Sequence, residues 1–336
     1  MHILVTGGAG YVGSHVCKAL ATSGFHPIVL DDLRRGHRSA VQWGPLVVGD
    51  CGDPAVLGDV FGRFAIKAVM HFAALAYVGE SIEAPDVYFR NNVMATINLL
   101  DAMKSCGIQN IIFSSSCATY GIPSIVPITE DHPQKPINPY GESKLMVERI
   151  LYWYGLRFGM SWSTLRYFNA AGADPDCEIG ENHDPEPHLL PRALATAAGL
   201  LPCLDILGDD YETPDGTAIR DYTHVTDLAH AHVLALRYLM SGGTSDAFNL
   251  GTGNGSSVLD VKRAVESVVG ASIPVSHQPR RPGDPPKLVA DPSKARRVLG
   301  WEIQYSDLPT IVETAWRWYR RNATSATQPA VQSNGS

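Results

Sequence analysis

The chain has 336 residues, 45% of them apolar and 18% charged, with a net charge of −7. These totals describe an ordinary globular protein of two domains, or of one large domain with an appended lobe, able to bury a core without covalent staples. They argue against nucleic acid or an anionic membrane as partner, and the six cysteines (17, 51, 106, 117, 177 and 203) lack the paired spacing of a disulfide framework or a zinc site.

Residues 3–5 form a short apolar run rich in strand formers and predict a buried strand. Glycines follow at Gly7, Gly10 and Gly13, and residues 14–21 suit a helix. Strand, glycine turn and helix aim backbone N–H groups at a phosphate, so this unit predicts dinucleotide binding. A second strand over 27–30 ends in Asp31, 18 residues after Gly13, where a carboxylate accepts hydrogen bonds from ribose hydroxyls and repels a 2′-phosphate. NAD is therefore expected rather than NADP, with Arg34, Arg35 and Arg38 as the counter-argument.

Residues 47–50 predict a third strand, with Asp50 placed to meet an adenine, and 55–64 a helix. Residues 68–72 form a nearly all-apolar strand running into Ala73 and Ala74, whose small side chains let a flat ligand lie against backbone. A long amphipathic helix over 87–104 contains Asn91 and Asn92, and a fifth strand at 111–113 ends in Ser114-Ser115-Ser116. Strands alternating with helices imply an α/β fold, a Rossmann-type doubly wound parallel sheet with ligands at the carboxyl ends of its strands. Tyr140 opens a helix to about 154, and 163–168 predict another strand.

From Asn169 the texture turns to Gly, Asp, Pro and His, which marks a smaller C-terminal α/β lobe. The expected division is a NAD-binding domain over 1–168, a mainly substrate-binding domain over 169–321 and a disordered tail over 322–336. His183 and His188, in an acidic-rich stretch, are expected to be loop residues rather than ligands, so no metal is expected. No apolar run reaches membrane-spanning length and the first strand leaves no room for a signal peptide, so a cytoplasmic location is expected.

Tyr140 and Lys144 stand four apart and project from one helix face. A phenol titrates near pH 10; a neighbouring ammonium lowers that value, so the tyrosine can take a proton from a sugar hydroxyl and return it. Ser116, at the tip of the fifth strand, would hold the same hydroxyl in line.

The runs Thr6-Gly-Gly-Ala-Gly-Tyr-Val-Gly13, His71-Phe-Ala-Ala74, Ser114-Ser-Ser-Cys-Ala-Thr-Tyr-Gly121 and Tyr140-x-x-x-Lys144 resemble the extended short-chain dehydrogenase/reductases. More narrowly, Leu165-Arg-Tyr-Phe-Asn-Ala-Ala-Gly172, Asp215-Gly-Thr-Ala-Ile-Arg-Asp-Tyr-Thr-His-Val225 and Arg280-Arg-Pro-Gly-Asp284 are similar to the UDP-glucose 4-epimerase family. The resemblance covers residues 1 to about 320. It implies cofactor contacts from Gly7, Gly10, Tyr11, Val12, Gly13, Asp31, Asp50, Cys51, Phe72, Ala73, Ala74, Asn91, Ser114, Tyr140, Lys144 and Phe168. It implies a UDP-sugar held by Ser116, Tyr140, Asn169, His188, Leu189, Arg220, Arg281 and Asp284, with His188 standing where the family often has Asn. Two arginines suit a diphosphate and an aspartate a ribose diol. The implied reaction is C4 inversion through a 4-keto sugar, in a homodimer formed by the helices near 87–104 and 140–154.

Three other readings carry different chemistry. A sugar-nucleotide 4,6-dehydratase needs an Asp-Glu pair after the catalytic hydroxyl residue, and here Cys117-Ala118 follow Ser116. A UDP-pentose 4-epimerase would carry the same motifs. A non-catalytic NAD-sensing protein would not need Ser116, Tyr140 and Lys144 together. Leu288 stands where the family varies in bulk beside the sugar, and is expected to disfavour an N-acetyl group.

Overall fold

The computed structural model describes residues 1–281 and 284–326. In chain order its first half runs β1 (His2–Thr6), α1 (Tyr11–Thr22), β2 (His26–Asp31), β3 (Leu46–Val48), α2 (Pro54–Arg63), β4 (Ile66–His71), α3 (Val78–Glu83), α4 (Pro85–Tyr88), α5 (Ala95–Ser105), β5 (Asn110–Ser116), α6 (Pro139–Phe158) and β6 (Ser161–Tyr167). The second half runs β7 (Asn169–Ala171), α7 (Leu189–Ala197), β8 (Leu204–Leu207), β9 (Ile219–Arg220), β10 (Tyr222–His224), α8 (Val225–Met240), β11 (Asp246–Leu250), β12 (Ser256–Ser257), α9 (Val258–Val269), β13 (Val275–Gln278), β14 (Lys287–Leu288), α10 (Ser293–Leu299) and α11 (Leu308–Ala326).

Seven strands in the order β3-β2-β1-β4-β5-β6-β11, parallel throughout, form the central sheet. Successive side chains on a strand point to opposite faces, and here both faces are apolar. Ile3, Val5, Val29, Met70 and Ile112 pack under α1 and α8, against Val16, Leu20, Leu228 and Leu236. Leu4, Ile28, Leu30, Val69 and Ile111 pack on the other side against Leu57, Leu99, Met103 and Leu151 of α2, α5 and α6. Helices on both faces make this the doubly wound α/β fold expected.

The smaller lobe gathers around Leu190, Leu194, Val261, Val265, Ile311 and Val312, drawn from α7, α9 and α11. Its strands form three small sheets, β10-β7, β12-β9-β14 and β13-β8. Helix α9 is fixed at its start by a capping box between Ser257 and Asp260, and stops at Gly270, which takes a left-handed φ of 75°.

Three features differ from the expectation. The seventh strand comes from beyond residue 168: α8 covers the sheet and β11 pairs with β6, so the expected second unit is interrupted by a return to the first. The helix expected over 87–104 consists of α4, a π-helical segment Phe89–Met94 and α5. The tail expected from 322 is still helical to Ala326; residues 327–336 lie outside the described residues. Among the described residues no helix is long and apolar enough to cross a membrane.

Candidate active site

The carboxyl edge of the sheet is shaped first by glycine. Gly7 leaves β1 with φ of 72°, and a Cβ there would lie 2.6 Å from the Ala73 nitrogen. A Cβ on Gly13 would lie 2.3 Å from the Gly7 carbonyl oxygen, so α1 can pack on the turn only without one. Gly10 is different: a Cβ would meet only the Gly7 oxygen, at 3.3 Å, and would otherwise occupy the space in front of α1. No side chain caps α1 and no acidic residue stands in its first turn. The N–H groups of Tyr11, Val12 and Gly13 therefore have no helical acceptor and carry the positive end of the helix dipole. The Tyr11 side chain is committed elsewhere, its hydroxyl donating to the Gly172 carbonyl at 2.6 Å.

Asp31 ends β2 and is buried; its two carboxylate oxygens accept from the N–H groups of Ala9 (3.0 Å) and Leu33 (2.9 Å). Burial pushes its pKa above the ordinary carboxylate value, with those two donors opposing. Arg34 is paired with Asp32 (2.5 Å) and bonds Asn91 (2.7 Å), and Arg35 is paired with Glu80 (2.9 Å) over the Tyr77 ring, so two of the three arginines beside Asp31 already have carboxylate partners. Asp50 is exposed and accepts from the Gly52 N–H, whereas Cys51 is buried against Ala95 and Leu99 and its thiol is raised by burial to about 12. Phe72 and Ala73 both donate backbone N–H bonds to the Thr6 carbonyl, which bends the chain before Ala74 over the glycine turn. Asn91 lies in the π segment beside Asn92, and Asn92 ties Leu75 of that bend to Ser143 of α6.

Strand β5 and helix α6 bring the polar groups together. Asn138 caps α6 by accepting from the Gly141 N–H at 2.8 Å, with Pro139 at the first position. A Cβ on Gly141 would lie 2.4 Å from the Ala118 carbonyl oxygen, so glycine lets the Tyr140 end of α6 abut the 3-10 turn Cys117–Tyr120. There the Ser116 hydroxyl accepts from the Ala118 N–H and stands beside the Tyr140 hydroxyl, whose pKa it lowers. One turn along, Lys144 is buried; its Nζ donates to the Ser114 carbonyl at 2.8 Å and lies 5.8 Å from the centre of the Tyr140 ring. Burial lowers the Lys144 ammonium to about 7, with Glu148 opposing. Burial likewise raises the Tyr140 phenol, with Tyr167 adding and the Ser116 hydrogen bond opposing. Desolvation dominates both groups in this structure.

The smaller lobe supplies the other wall. Phe168 is buried with Cys117, Tyr120, Ile128 and Ala290, and Leu288 packs against that cluster. Asn169 begins β7 and donates its N–H to the Asp221 carbonyl. Arg220 pairs with Asp284 at 2.5 Å and lies in register with Leu288. The buried Asp221 carboxylate accepts from Thr252, Gly253 and Ala290 and fixes the loops behind this wall. Arg281 is exposed and does not join the Arg220–Asp284 pair. His188 precedes Leu189, the first residue of α7, and turns its ring to Glu181 and Glu186, at 2.7 and 3.0 Å.

Residues 3–251 match the NAD dependent epimerase/dehydratase family. The chain belongs to that family. It is 50% identical over 323 residues to a UDP-glucose 4-epimerase of Lacticaseibacillus casei, covering 96% of this chain and 98% of the relative. It superposes on the crystal structure of UDP-glucose 4-epimerase from Brucella ovis in complex with NAD with a TM-score of 0.92, 55% identity, and coverage of 94% and 97% of the two chains. The structure of UDP-glucose 4-epimerase from Bifidobacterium longum in complex with NAD+ and UDP is similar at 38% identity, with a TM-score of 0.91 and coverage of 96% and 99%.

NAD is the cofactor of an NAD dependent epimerase/dehydratase, and the residues fit it. The uncapped α1 terminus and the space that a Gly10 Cβ would fill suit a pyrophosphate, and Asp31 retains lone pairs for ribose hydroxyls beyond its two backbone donors. Sequence reading did not pick out Tyr167, whose hydroxyl lies 2.5 Å from the Ser114 hydroxyl, nor the buried Glu148–Arg166 pair beneath the site. Tyr167 and Arg166 lie within the run Leu165–Gly172, but the contacts that give them a place beneath the site span 53 and 18 positions and appear only in the packing. His183 and His188, expected to be loop residues rather than ligands, converge with Glu181 and Glu186 so that the ligand-type atoms of all four lie within 4.8 Å of one another.

Proposed function

We propose that this chain is a UDP-glucose 4-epimerase, interconverting UDP-glucose and UDP-galactose. The observation that carries the proposal is the meeting of Ser116, Tyr140 and Lys144 at the carboxyl edge of the same sheet that holds the glycine turn. The relatives' names and the nucleotides bound in the related structures support it.

Bound NAD supplies reversible hydride acceptance. The Tyr140 phenolate, beside Ser116, takes the proton of the C4 hydroxyl as C4 is oxidised, and returns it to the C4 oxygen of the turned 4-keto sugar as C4 is reduced on its other face. Lys144, fixed by the Ser114 carbonyl, stays within the electrostatic reach of that phenol. Arg220, with Asn169 near it in the lobe, holds the diphosphate about which the 4-keto sugar turns, while Asp284 takes the ribose diol. Leu288 and Phe168 close the sugar side and exclude water.

The proposal extends to location and assembly. All six cysteines are free, as suits the reducing cytoplasm. Met146, Tyr152, Trp153 and Leu156 leave an exposed apolar stripe on α6, which suits a second copy of the chain. As domains, we assign residues 1–168 to NAD and 169–321 mainly to the UDP-sugar, with α8 and β11 crossing back.

The test is C4 inversion. Purified chain incubated with UDP-galactose, and separately with UDP-xylose, should yield UDP-glucose from the first without added reductant. Inversion of the pentose alone, release of water to a 4-keto-6-deoxy sugar, or no conversion would each overturn the reading.

A further inference from the structure

The loop from β7 to α7 carries two groups of ligand-type side chains. In the first, Asp174, Asp176 and Glu178 surround the Lys18 ammonium at 2.7–2.9 Å, so the chain supplies their cation itself. In the second, Glu181, His183, Glu186 and His188, the carboxylates pair among the described residues with the group's own histidines and with no lysine or arginine.

The geometry of the second group is that of a chelate. The His188 Nδ1 lies 2.7 Å from Glu181 Oε1 and 3.0 Å from Glu186 Oε1. The His183 Nδ1 lies 3.2 Å from Glu181 Oε1 and 3.5 Å from Glu186 Oε2. Two imidazole nitrogens and two carboxylates thus alternate around one point. In a tetrahedral site with bonds of about 2.0–2.1 Å, neighbouring donor atoms stand about 3.3 Å apart. The four separations straddle that value.

A second observation is independent of these distances. The His183 Nδ1 is sealed from solvent and makes no aligned hydrogen bond, although two carboxylates stand beside it. A cation between these groups would engage that nitrogen and both carboxylates at once. The rings are also held by edge-to-face contacts, Tyr11 and Tyr77 against His183 and Tyr77 against His188. A divalent ion would displace the protons that Glu181 and Glu186 hold on the two imidazoles, after which two negative charges match it.

We propose that Glu181, His183, Glu186 and His188 bind one divalent transition-metal ion, zinc by preference, which fastens this loop to the Tyr11 end of α1. Two nitrogens and two oxygens as donors favour zinc over magnesium or calcium, which take six or more oxygens. The ion is structural: all four donors are protein groups and none is left for substrate.

The test uses the full chain without a histidine tag, purified with chelator and then dialysed against Zn²⁺ alone, with metal counted by atomic emission. One equivalent per chain at sub-micromolar free zinc is expected, with at least tenfold weaker binding in Glu181→Gln and in the double variant His183→Ala/His188→Ala. Zinc far below one equivalent, or one equivalent undiminished in Glu181→Gln, would overturn the proposal. Glu181→Gln keeps the side-chain shape, so it decides the matter even where circular dichroism finds the double variant unfolded.

Discussion

Replacing Tyr140 with phenylalanine keeps the ring beside Ser116 and removes the hydroxyl assigned to the proton transfer. The epimerisation rate should fall by roughly 10²–10⁴, the usual worth of a positioned acid–base group; a rate within tenfold of the parent would sink the assigned role. Leu288 packs beside Phe168 and Cys117 rather than facing solvent, so it can limit the sugar. An acetamido group forced against it should cost about 1–3 kcal/mol, making UDP-N-acetylglucosamine slower by roughly tenfold or more. Leu288→Gly should narrow that gap; equal kcat/KM for both sugars in the parent would show that Leu288 is no gate. His71 makes a pH prediction. It is buried between the hydroxyls of Thr6 and Thr96, both at 2.7 Å, and burial, aided by Lys144, lowers it to about 3. The unfolded chain takes up this proton as pH falls through about 6.5 while the folded chain refuses it until about 3, so stability is lost across that window at up to about 1.4 kcal/mol per pH unit. Urea midpoints at pH 7 and pH 5 should therefore diverge less in His71→Gln than in the parent; equal divergence would refute the linkage.

At the scale of elements, the three glycines of the α1 turn separate structure from binding. Gly13→Ala drives a Cβ to 2.3 Å from a carbonyl and should cost about 1–3 kcal/mol of stability. Gly10→Ala meets only one atom at 3.3 Å, on extended backbone that any residue adopts, so the fold should persist while NAD retention drops at least tenfold. Thermal melting and nicotinamide assayed in the denatured supernatant check both; unchanged NAD content in Gly10→Ala would remove that space from the pyrophosphate site. This turn was legible in the sequence because its signal is local: an apolar run, then glycines at fixed spacing. So was α6, whose Asn138-Pro139 start and Tyr140-to-Lys144 spacing lie within one stretch. The π segment was not, because a helix widened over six residues keeps nearly the same apolar periodicity. Nor was β11, whose pairing with β6 leaves no trace in either strand alone. The Arg220–Asp284 ion pair spans 64 positions, and from sequence each residue could only be assigned its own part of the ligand.

For the whole molecule, the apolar stripe on α6 predicts assembly. Trp153 and Leu156 are 65% and 64% exposed, values that fit a covered interface better than a solvated face. Light scattering should give a mass of two chains for the parent and of one chain for the Trp153→Asp/Leu156→Asp variant, with the variant still folded because neither side chain supports the core. A parent of one-chain mass would dismiss the dimer.

The late arrival of β11 also matters while the chain is being made. Once Tyr167 has left the ribosome, β6 forms the outer edge of an otherwise ordered sheet, and its partner begins only at Asp246. At about 5–20 residues per second, translation of that interval takes roughly 4–16 s. For those seconds the nascent chain displays a row of unpaired backbone groups along β6, a template for aberrant pairing with a neighbour on the same message. Chaperone demand should therefore peak with the newborn chain between these two strands and subside once α8 and β11 have docked.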